Sequence, residues 1–323
     1  MIKDKHEQIV FIRQVFSDLD ELYTAAERWS LNFTQLDPGK LEGEVMILDS
    51  KQVQLGTVNF NRQFKQAGET PKGYRTFAIP ADEKQFFKWR NYTIKGNYLM
   101  LFPADGEIDA MNHPGFRVFT ISLNIELIES ILDSHQNNYS SLVPEKAKVL
   151  ELFSHDMKII RKLISYLFQK AVQNPKAIES KVFYRLMMCE IPSILLSSLQ
   201  NPIQKPKAEK TRIRDISFKK AIAFLNSCTN DFPDIYQLCL ISGSSQRTLE
   251  YAFKEKFGIT PQNYIKKLRL NRLRKALKLA DPKNTSVNTI AHHHGFRHLG
   301  QLSADYKKLF QELPSETLRE RKK

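Results

Sequence analysis

Hydrophobic and polar positions fall into three regimes along the first 200 of the 323 residues. Between 8 and 29, Ile9, Ile12, Phe16, Leu19 and Tyr23 recur three or four apart, which predicts a helical lead-in. From about 33 to 123 the chain changes to short strand-like runs: LDPGKLEGEVMILD, VQLGTVNFNRQF, GYRTFAIP, YTIKGNYLMLFP and FRVFTISL. Gly43, Gly56, Gly73, Gly96, Gly106 and Gly115 punctuate them at strand-and-turn intervals, so a sandwich or small barrel is expected. From about 124 to 199 the helical period returns, in KIIRKLISYLFQKAV and KVFYRLMMCEIPSILLSSL. These helices carry more apolar residues than one face needs. They are expected to cover an end of the β domain and to pair with a second copy of the chain.

Residues 200–212, QNPIQKPKAEKTR, have two prolines, no apolar period and linker composition. Beyond them everything reads as helix. Phe218, Ile222 and Leu225 stripe a helix from about Ile216 to Asn226. Asp234 is placed to cap a short helix through Ile235, Leu238 and Cys239, a turn follows at 242–244, and Ser245 caps the next helix. On that helix Leu249, Ala252, Phe253 and Phe257 face inwards; Gly258 ends it and Pro261 opens another. The plan then repeats. Ser286 caps a short helix bearing Val287, Ile290 and Ala291, Gly295 turns, and a helix from about Arg297 buries Leu302, Tyr306 and Phe310. RTLEYAFKEKFGITPQNY (247–264) and GQLSADYKKLFQELPSET (300–317) are two versions of one element: Leu249 and Leu302, Phe253 and Tyr306, Phe257 and Phe310, and Pro261 and Pro314 each stand 53 residues apart. Between the two helix-turn-helix units runs a long helix, about Pro261 to Leu279, bearing Lys266, Lys267, Arg269, Arg272, Arg274, Lys275 and Lys278. Two units rigidly joined in this way are expected to place two reading helices along one face of a DNA duplex, roughly 34 Å apart.

The fold class predicted is therefore α+β. Residues 1–200 form an N-terminal domain, β-rich over 33–123 and helical over 124–199, and 201–214 form a linker. Residues 215–323 form an all-α domain with helix-turn-helix units at about 234–257 and 286–310 and a connecting helix at 261–279. Hydrophobic residues at 41% and charged residues at 26% fit globular domains. Charge changes the picture more. Residues 203–323 hold 25 Lys and Arg against 11 Asp and Glu, while residues 1–202 are neutral, so the whole net charge of +14 sits in the last third. A segregated basic domain is what binding to a phosphate backbone requires. The N-terminal MIKDKHEQIVFIRQVF scatters charges through its apolar residues, unlike a signal peptide, and no run of about 18 apolar residues predicts a membrane span. Cys189, Cys228 and Cys239 are too few and too spread for a disulfide framework. A cytoplasmic protein is expected.

The stretches SSQRTLEYAFKEKFGITPQNYIKKLRLNRLRKAL and TSVNTIAHHHGFRHLGQLSADYKKLFQELPSETLR resemble the two units and connecting helix of the DNA-binding domain of the AraC/XylS family of bacterial transcription regulators. The resemblance covers about residues 215–320. It departs at Gln311, where the family usually has Gly, and at Leu302, where it often has Phe. LNFTQLDPGKLEG, GYRTFAIP and FPADGEIDAMNHPGFRVFTISL resemble the sensing domains of the subgroup that includes the ethanolamine-operon regulator. The resemblance implies a cupin-like N-terminal domain that binds a small-molecule effector and forms a homodimer. It also implies binding to double-stranded promoter DNA in the nucleoid, an activator's role, and RNA polymerase as a partner. The alternative is a DNA-binding regulator whose N-terminal domain only dimerises or docks a protein partner.

With Leu249, Phe253 and Phe257 inside, the first recognition helix presents Gln246, Arg247, Glu250, Tyr251 and Lys254. Arg247 suits guanine, Gln246 adenine and Glu250 cytosine, and Tyr251, Lys254, Ser245 and Thr248 suit phosphate or sugar. The second presents Arg297, His298, Gln301, Ser303 and Lys307, with Gln301 its best base reader and the others expected to position the duplex. In the β region Arg62, Lys65, Arg75 and Arg117 are candidates for holding an anionic or polar effector. His292, His293 and His294 project about 100° apart on a helix and cannot converge on one ion. His113 is the lone histidine of the strand region, so a cupin metal centre lacks ligands, and no phosphate-binding loop or nucleophile elbow occurs. Neither a cofactor nor catalysis is expected, and Cys189 and Cys239 are read as packing residues.

Overall fold

A computed structural model of the chain describes residues 8–85, 87–90, 92–104, 106–134, 145–203, 213–228 and 231–319. Its contacts divide the chain into two units. The first comprises Met1–Phe33, Leu41–Asn61 and Lys65–Ala208; the second comprises Thr34–Lys40, Arg62–Phe64 and Glu209–Lys323. The boundary between 208 and 209 falls within the expected linker, whose residues 204–212 lie outside the described ones, as does the start of the chain up to residue 7.

The first unit is built on two antiparallel sheets. The larger orders β1 (Val10–Phe16), β3 (Gly43–Asp49), β4 (Val53–Phe60), β11 (Arg117–Asn124), β6 (Tyr74–Pro80), β9 (Tyr98–Leu101) and β12 (Lys148–Glu151). The smaller orders β2 (Ser30–Gln35), β5 (Phe64–Glu69), β10 (Glu107–Met111), β7 (Phe87–Trp89) and β8 (Tyr92–Ile94). Helix α1 (Leu19–Ala25) follows β1, with Asp18 accepting the N–H of Asp20 as its cap. Helices α2 (Ile125–Ser134), α3 (Ser154–Gln173) and α4 (Lys181–Gln200, with a π turn at Leu186–Glu190) complete the unit.

Alternation along the central strands separates two cores. Leu55 of β4, Phe77 and Ile79 of β6 and Phe119 and Ile121 of β11 face the helices, packing with Ile160, Ile164 and Phe168 of α3 and Met187, Ile191 and Leu195 of α4. Ala78, Met100 and Val118 face the other way and join Phe87, Trp89 and Ile108 of the smaller sheet. The larger sheet is thus the middle layer of three, buried on both faces, which explains the weak alternation of its strands.

Two expectations need correction here. The segment read as a helical lead-in holds a strand, because Val10–Phe16 pairs with β3 from Val10↔Asp49 to Phe16↔Gly43. Its β-branched and aromatic residues (Val10, Phe11, Ile12, Val15 and Phe16) favour the pleated surface over the helix their spacing also permits. Helix α4, with a mean hydropathy of 1.3, is long and apolar enough to cross a membrane, although no such segment was expected. Half of that stretch is buried, with Phe183, Met187, Ile191, Leu195 and Leu199 in the core, and Arg185 and Glu190 pair on its outer side at 3.0 Å. Cys189 of the same helix is exposed, not packed.

In the second unit the chain is helical: α5 (Ile213–Ser227), α6 (Ile235–Ser242), α7 (Gln246–Phe257), α8 (Pro261–Leu279), α9 (Val287–His293), α10 (Leu299–Phe310) and α11 (Pro314–Arg319). Helix α8 serves both helix pairs. Tyr264, near its start, stacks on Phe257 at 4.7 Å and meets Phe253 edge-on at 5.4 Å, closing an aromatic cluster with Phe218 of α5. Leu270, Leu273 and Leu277, further along, pack with Ile290 of α9 and Leu302, Tyr306 and Phe310 of α10. One continuous helix thereby fixes both pairs to a common strut.

Candidate nucleic-acid interface

The first helix pair forms where the sequence places its caps. Asp234 accepts the N–H of Gln237 at 2.8 Å while Gln237 Oε1 accepts the N–H of Asp234 at 3.0 Å, a reciprocal capping box that starts α6. Gly243, at φ 65°, ends α6 in the left-handed region, and Ser245 Oγ accepts the N–H of Thr248 at 3.3 Å to start α7. Leu249, Ala252, Phe253 and Phe257 are buried, which turns the opposite face of α7 to solvent. Ser245, Gln246, Arg247, Tyr251 and Lys254 are exposed, and Thr248 and Glu250 are half-buried. That face is ordered by pairs one helical turn apart: Gln246 Nε2 donates to Glu250 Oε1 at 2.9 Å, and the Arg247 guanidinium lies 5.7 Å from the Tyr251 ring centre.

The second pair departs from the sequence expectation at its entrance. Ser286 caps α9 by accepting the N–H of Thr289 at 3.2 Å, and Gly295 turns at φ 73°. Helix α10 then begins at Leu299, so Arg297 and His298 stand in the entry turn rather than on the helix face. His298 occupies the cap position with no side-chain hydrogen bond to the backbone. Arg297, His298, Gln301 and Lys307 are exposed and Ser303 is half-buried, opposite the buried Leu302, Tyr306, Leu309 and Phe310.

The basic stripe of α8 has a divided use that charge counting misses. Arg269 donates to the backbone oxygens of His294 and Gly295, and its guanidinium lies 5.0 Å from the Phe296 ring. Arg272 donates to the backbone oxygens of Cys228 and Leu225 and sits 4.6 Å from the Phe232 ring. Arg274 pairs with Glu312 at 2.8 Å and lies 5.2 Å from the Phe310 ring. Burial holds the pKa of both Arg269 and Arg272 below the usual guanidinium value. These three arginines weld the strut to the neighbouring turns; Lys275 and Lys266 are exposed, the latter also paired with Asp305 at 3.1 Å. The signal in the sequence was the choice of Arg at all three welding positions, since a planar fork satisfies several carbonyls where an ammonium cannot.

The four basic residues selected as effector ligands are dispersed, Arg62 in the second unit and Lys65, Arg75 and Arg117 in the first. Arg62 pairs with Asp37 at 3.5 Å and donates to the Pro38 and Lys40 oxygens, Lys65 pairs with Asp109, Arg117 is exposed, and Arg75 is buried on the helix-facing side of β6 with Phe77 and Ile79. None of the four lines the cavity of about 120 Å³ that lies between the two sheets. That cavity is lined by residues the sequence reading passed over, among them Trp29, Phe33, Val58, Trp89, Met100 and Val118. Alternation alone could not decide which residues of the strand region point inward.

Comparison with known proteins places the second unit. Residues 238–320 match the family described as a helix-turn-helix domain. The chain is 34% identical over 107 residues to the XylDLEGF operon transcriptional activator of Pseudomonas putida, covering 33% of each chain. It is 38% identical over 68 residues to the HTH-type transcriptional activator RhaS of Pectobacterium carotovorum, covering 21% of this chain and 23% of that one. Among solved structures it is similar to a probable AraC family transcriptional regulator from Rhodopseudomonas palustris, with 30% identity, a TM-score of 0.30, and coverage of 33% of this chain and 98% of that one. The chain spans about a third of the length of the curated relatives it matches first.

Proposed function

We propose that the chain is a transcription regulator of the AraC/XylS type that binds promoter DNA sequence-specifically through α7 and α10. The observation that supports this reading is the pair of helices α7 and α10, each with its apolar side packed on the common helix α8, in two separate clusters, and its polar side exposed. On α7, Arg247 bonds guanine O6 and N7, Gln246 reads adenine and Glu250 accepts from cytosine N4. Ser245, Thr248, Tyr251 and Lys254 hold phosphate or sugar. On the second unit Gln301 reads a base, while Arg297, His298, Ser303 and Lys307 position the duplex.

The relatives named as activators support an activator's role; such a regulator would work in the cytoplasm, on the nucleoid, with RNA polymerase as its partner. The N-terminal unit, read as cupin-like and dimer-forming, would then control the DNA-binding unit through a small-molecule effector. The enclosed cavity between its sheets favours that role over a unit that only dimerises or docks a protein. Selection of bound duplexes from a random pool, with excess competitor DNA, tests the proposal. A recovered motif with two half-elements about one helical turn apart supports it, and recovery of no motif refutes it.

A further inference from the structure

We infer that the cavity between the two sheets of the N-terminal unit takes a neutral, single-ring-sized, mainly apolar ligand bearing one hydrogen-bond acceptor for the indole N–H of Trp89. The inference rests on the reading of that unit as the effector-binding one and specifies what it binds.

Size sets the first limit. The cavity holds about 120 Å³, and a dry apolar cavity of about 150 Å³ accommodates benzene. One ring with a short substituent fits; a sugar, a nucleotide or a long acyl chain does not. Charge sets the second. No Lys, Arg, His, Asp or Glu is among the residues that line it. A carboxylate or ammonium placed there would lose its hydration with no counter-charge in return. The anionic effector suggested by the strand-region arginines is thereby disfavoured in this cavity.

The third limit comes from polar groups already in use. Gln66 donates to Asn112 Oδ1 at 3.3 Å, Asn112 donates to the His113 oxygen at 3.3 Å, and the Trp29 indole donates to Gln54 Oε1 at 2.7 Å. Trp89 differs. It is 1% exposed, it lines the cavity, and its Nε1 has no hydrogen-bond partner among the described residues. The ring is held by an edge contact with Phe102 at 5.4 Å, and its backbone pairs with Ala110 of β10. A buried N–H held in place without an acceptor is costly, and a carbonyl or ether oxygen on the ligand removes that cost.

Calorimetric titration of the full chain with acetophenone, ethylbenzene and benzoate separates these limits, since the three share a size and differ in acceptor and charge. Acetophenone is expected to bind tightest, ethylbenzene about tenfold more weakly for want of one hydrogen bond, and benzoate not measurably. Trp89→Phe should bring acetophenone down to the level of ethylbenzene and leave ethylbenzene unchanged. Ala78→Leu, which fills the cavity from β6, should abolish both; because that variant could fail to fold, Trp89→Phe carries the decision. Benzoate binding as well as acetophenone, indifference of acetophenone to Trp89→Phe, or binding of none of the three would overturn the inference. Repeating the titration with a selected duplex present keeps the two ideas apart. Ligand binding that leaves DNA affinity unchanged refutes the effector role and upholds the ligand class; a DNA response to benzoate alone refutes the ligand class and upholds the effector role.

Discussion

Gln246 Nε2 donates to Glu250 Oε1 at 2.9 Å, so two side chains proposed to read bases satisfy each other in the free protein. On the proposed reading, contact with adenine by Gln246 and cytosine by Glu250 exchanges this bond for bonds to the duplex, and until then each residue positions the other. Glu250→Ala should therefore lose discrimination at one base pair by about 1–3 kcal/mol and broaden the preference at its neighbour. Binding measured across all single-base variants of a selected duplex checks this. Uniform weakening at every position would point to a merely structural pair.

Arg247 and Lys307 should separate into a specifying and a positioning residue. Arg247→Ala is expected to cost about 1–3 kcal/mol on the selected duplex and to relax one position. Lys307→Ala should weaken all duplexes alike and lower the salt dependence of binding by about one ion's worth. Titrations at several salt concentrations, on specific and scrambled duplexes, give both quantities. An Arg247→Ala protein that binds the selected duplex as the parent does contradicts the assignment of the reading face.

Gln311 closes α10 at φ 60°, where Gly258 closes α7 at φ 71°, 53 positions earlier. The glutamine meets a Cβ cost in this left-handed conformation that glycine does not. Gln311→Gly should stabilise the C-terminal unit by about 1 kcal/mol, read from urea unfolding followed by helical circular dichroism. An unchanged or lower stability would show that the Gln311 side chain, which donates to the Lys308 oxygen at 3.4 Å, offsets its backbone strain.

Tyr23 provides a pH test of the N-terminal unit. Burial pushes its pKa up to about 12, against the smaller opposing effect of the Phe33 N–H that its oxygen accepts at 3.4 Å. An unfolded tyrosine ionises near pH 10 or so. The neutral phenol's contribution to stability is therefore complete below that pH and is lost as pH rises towards the folded value. The difference in unfolding free energy between the parent and Tyr23→Phe, followed from about pH 9 to about pH 12, should shrink as pH rises. A constant difference would contradict the burial argument.

The C-terminal unit was largely legible because its information is local. Asp234, Ser245, Gly258, Pro261 and Ser286 mark helix ends by backbone chemistry, and the 53-residue repeat of apolar positions gives the plan twice. What escaped was non-local. The entry turn at Arg297 and His298 lacks a strong cap signal, and the roles of Arg269, Arg272 and Arg274 depend on backbone carbonyls, for Arg274 on the Glu312 carboxylate, more than 20 residues away. In the N-terminal unit β3, β4, β6, β9 and β11 carried readable runs. The short strand β8 opened one of those runs too, but β7, β10 and β12 did not, because pairing partners rather than composition create them. The cavity was the least legible feature, since alternation alone decides neither which residues point inward nor that Val58 and Trp89 line one space between two sheets.

Hydroxyl-radical footprinting of the full chain on a selected duplex tests the central claim most directly. The account predicts two protected patches on one face of the DNA, about one helical turn apart, with Arg247→Ala weakening the first and Gln301→Ala the second. A single patch, or two patches unaffected by either substitution, would contradict it.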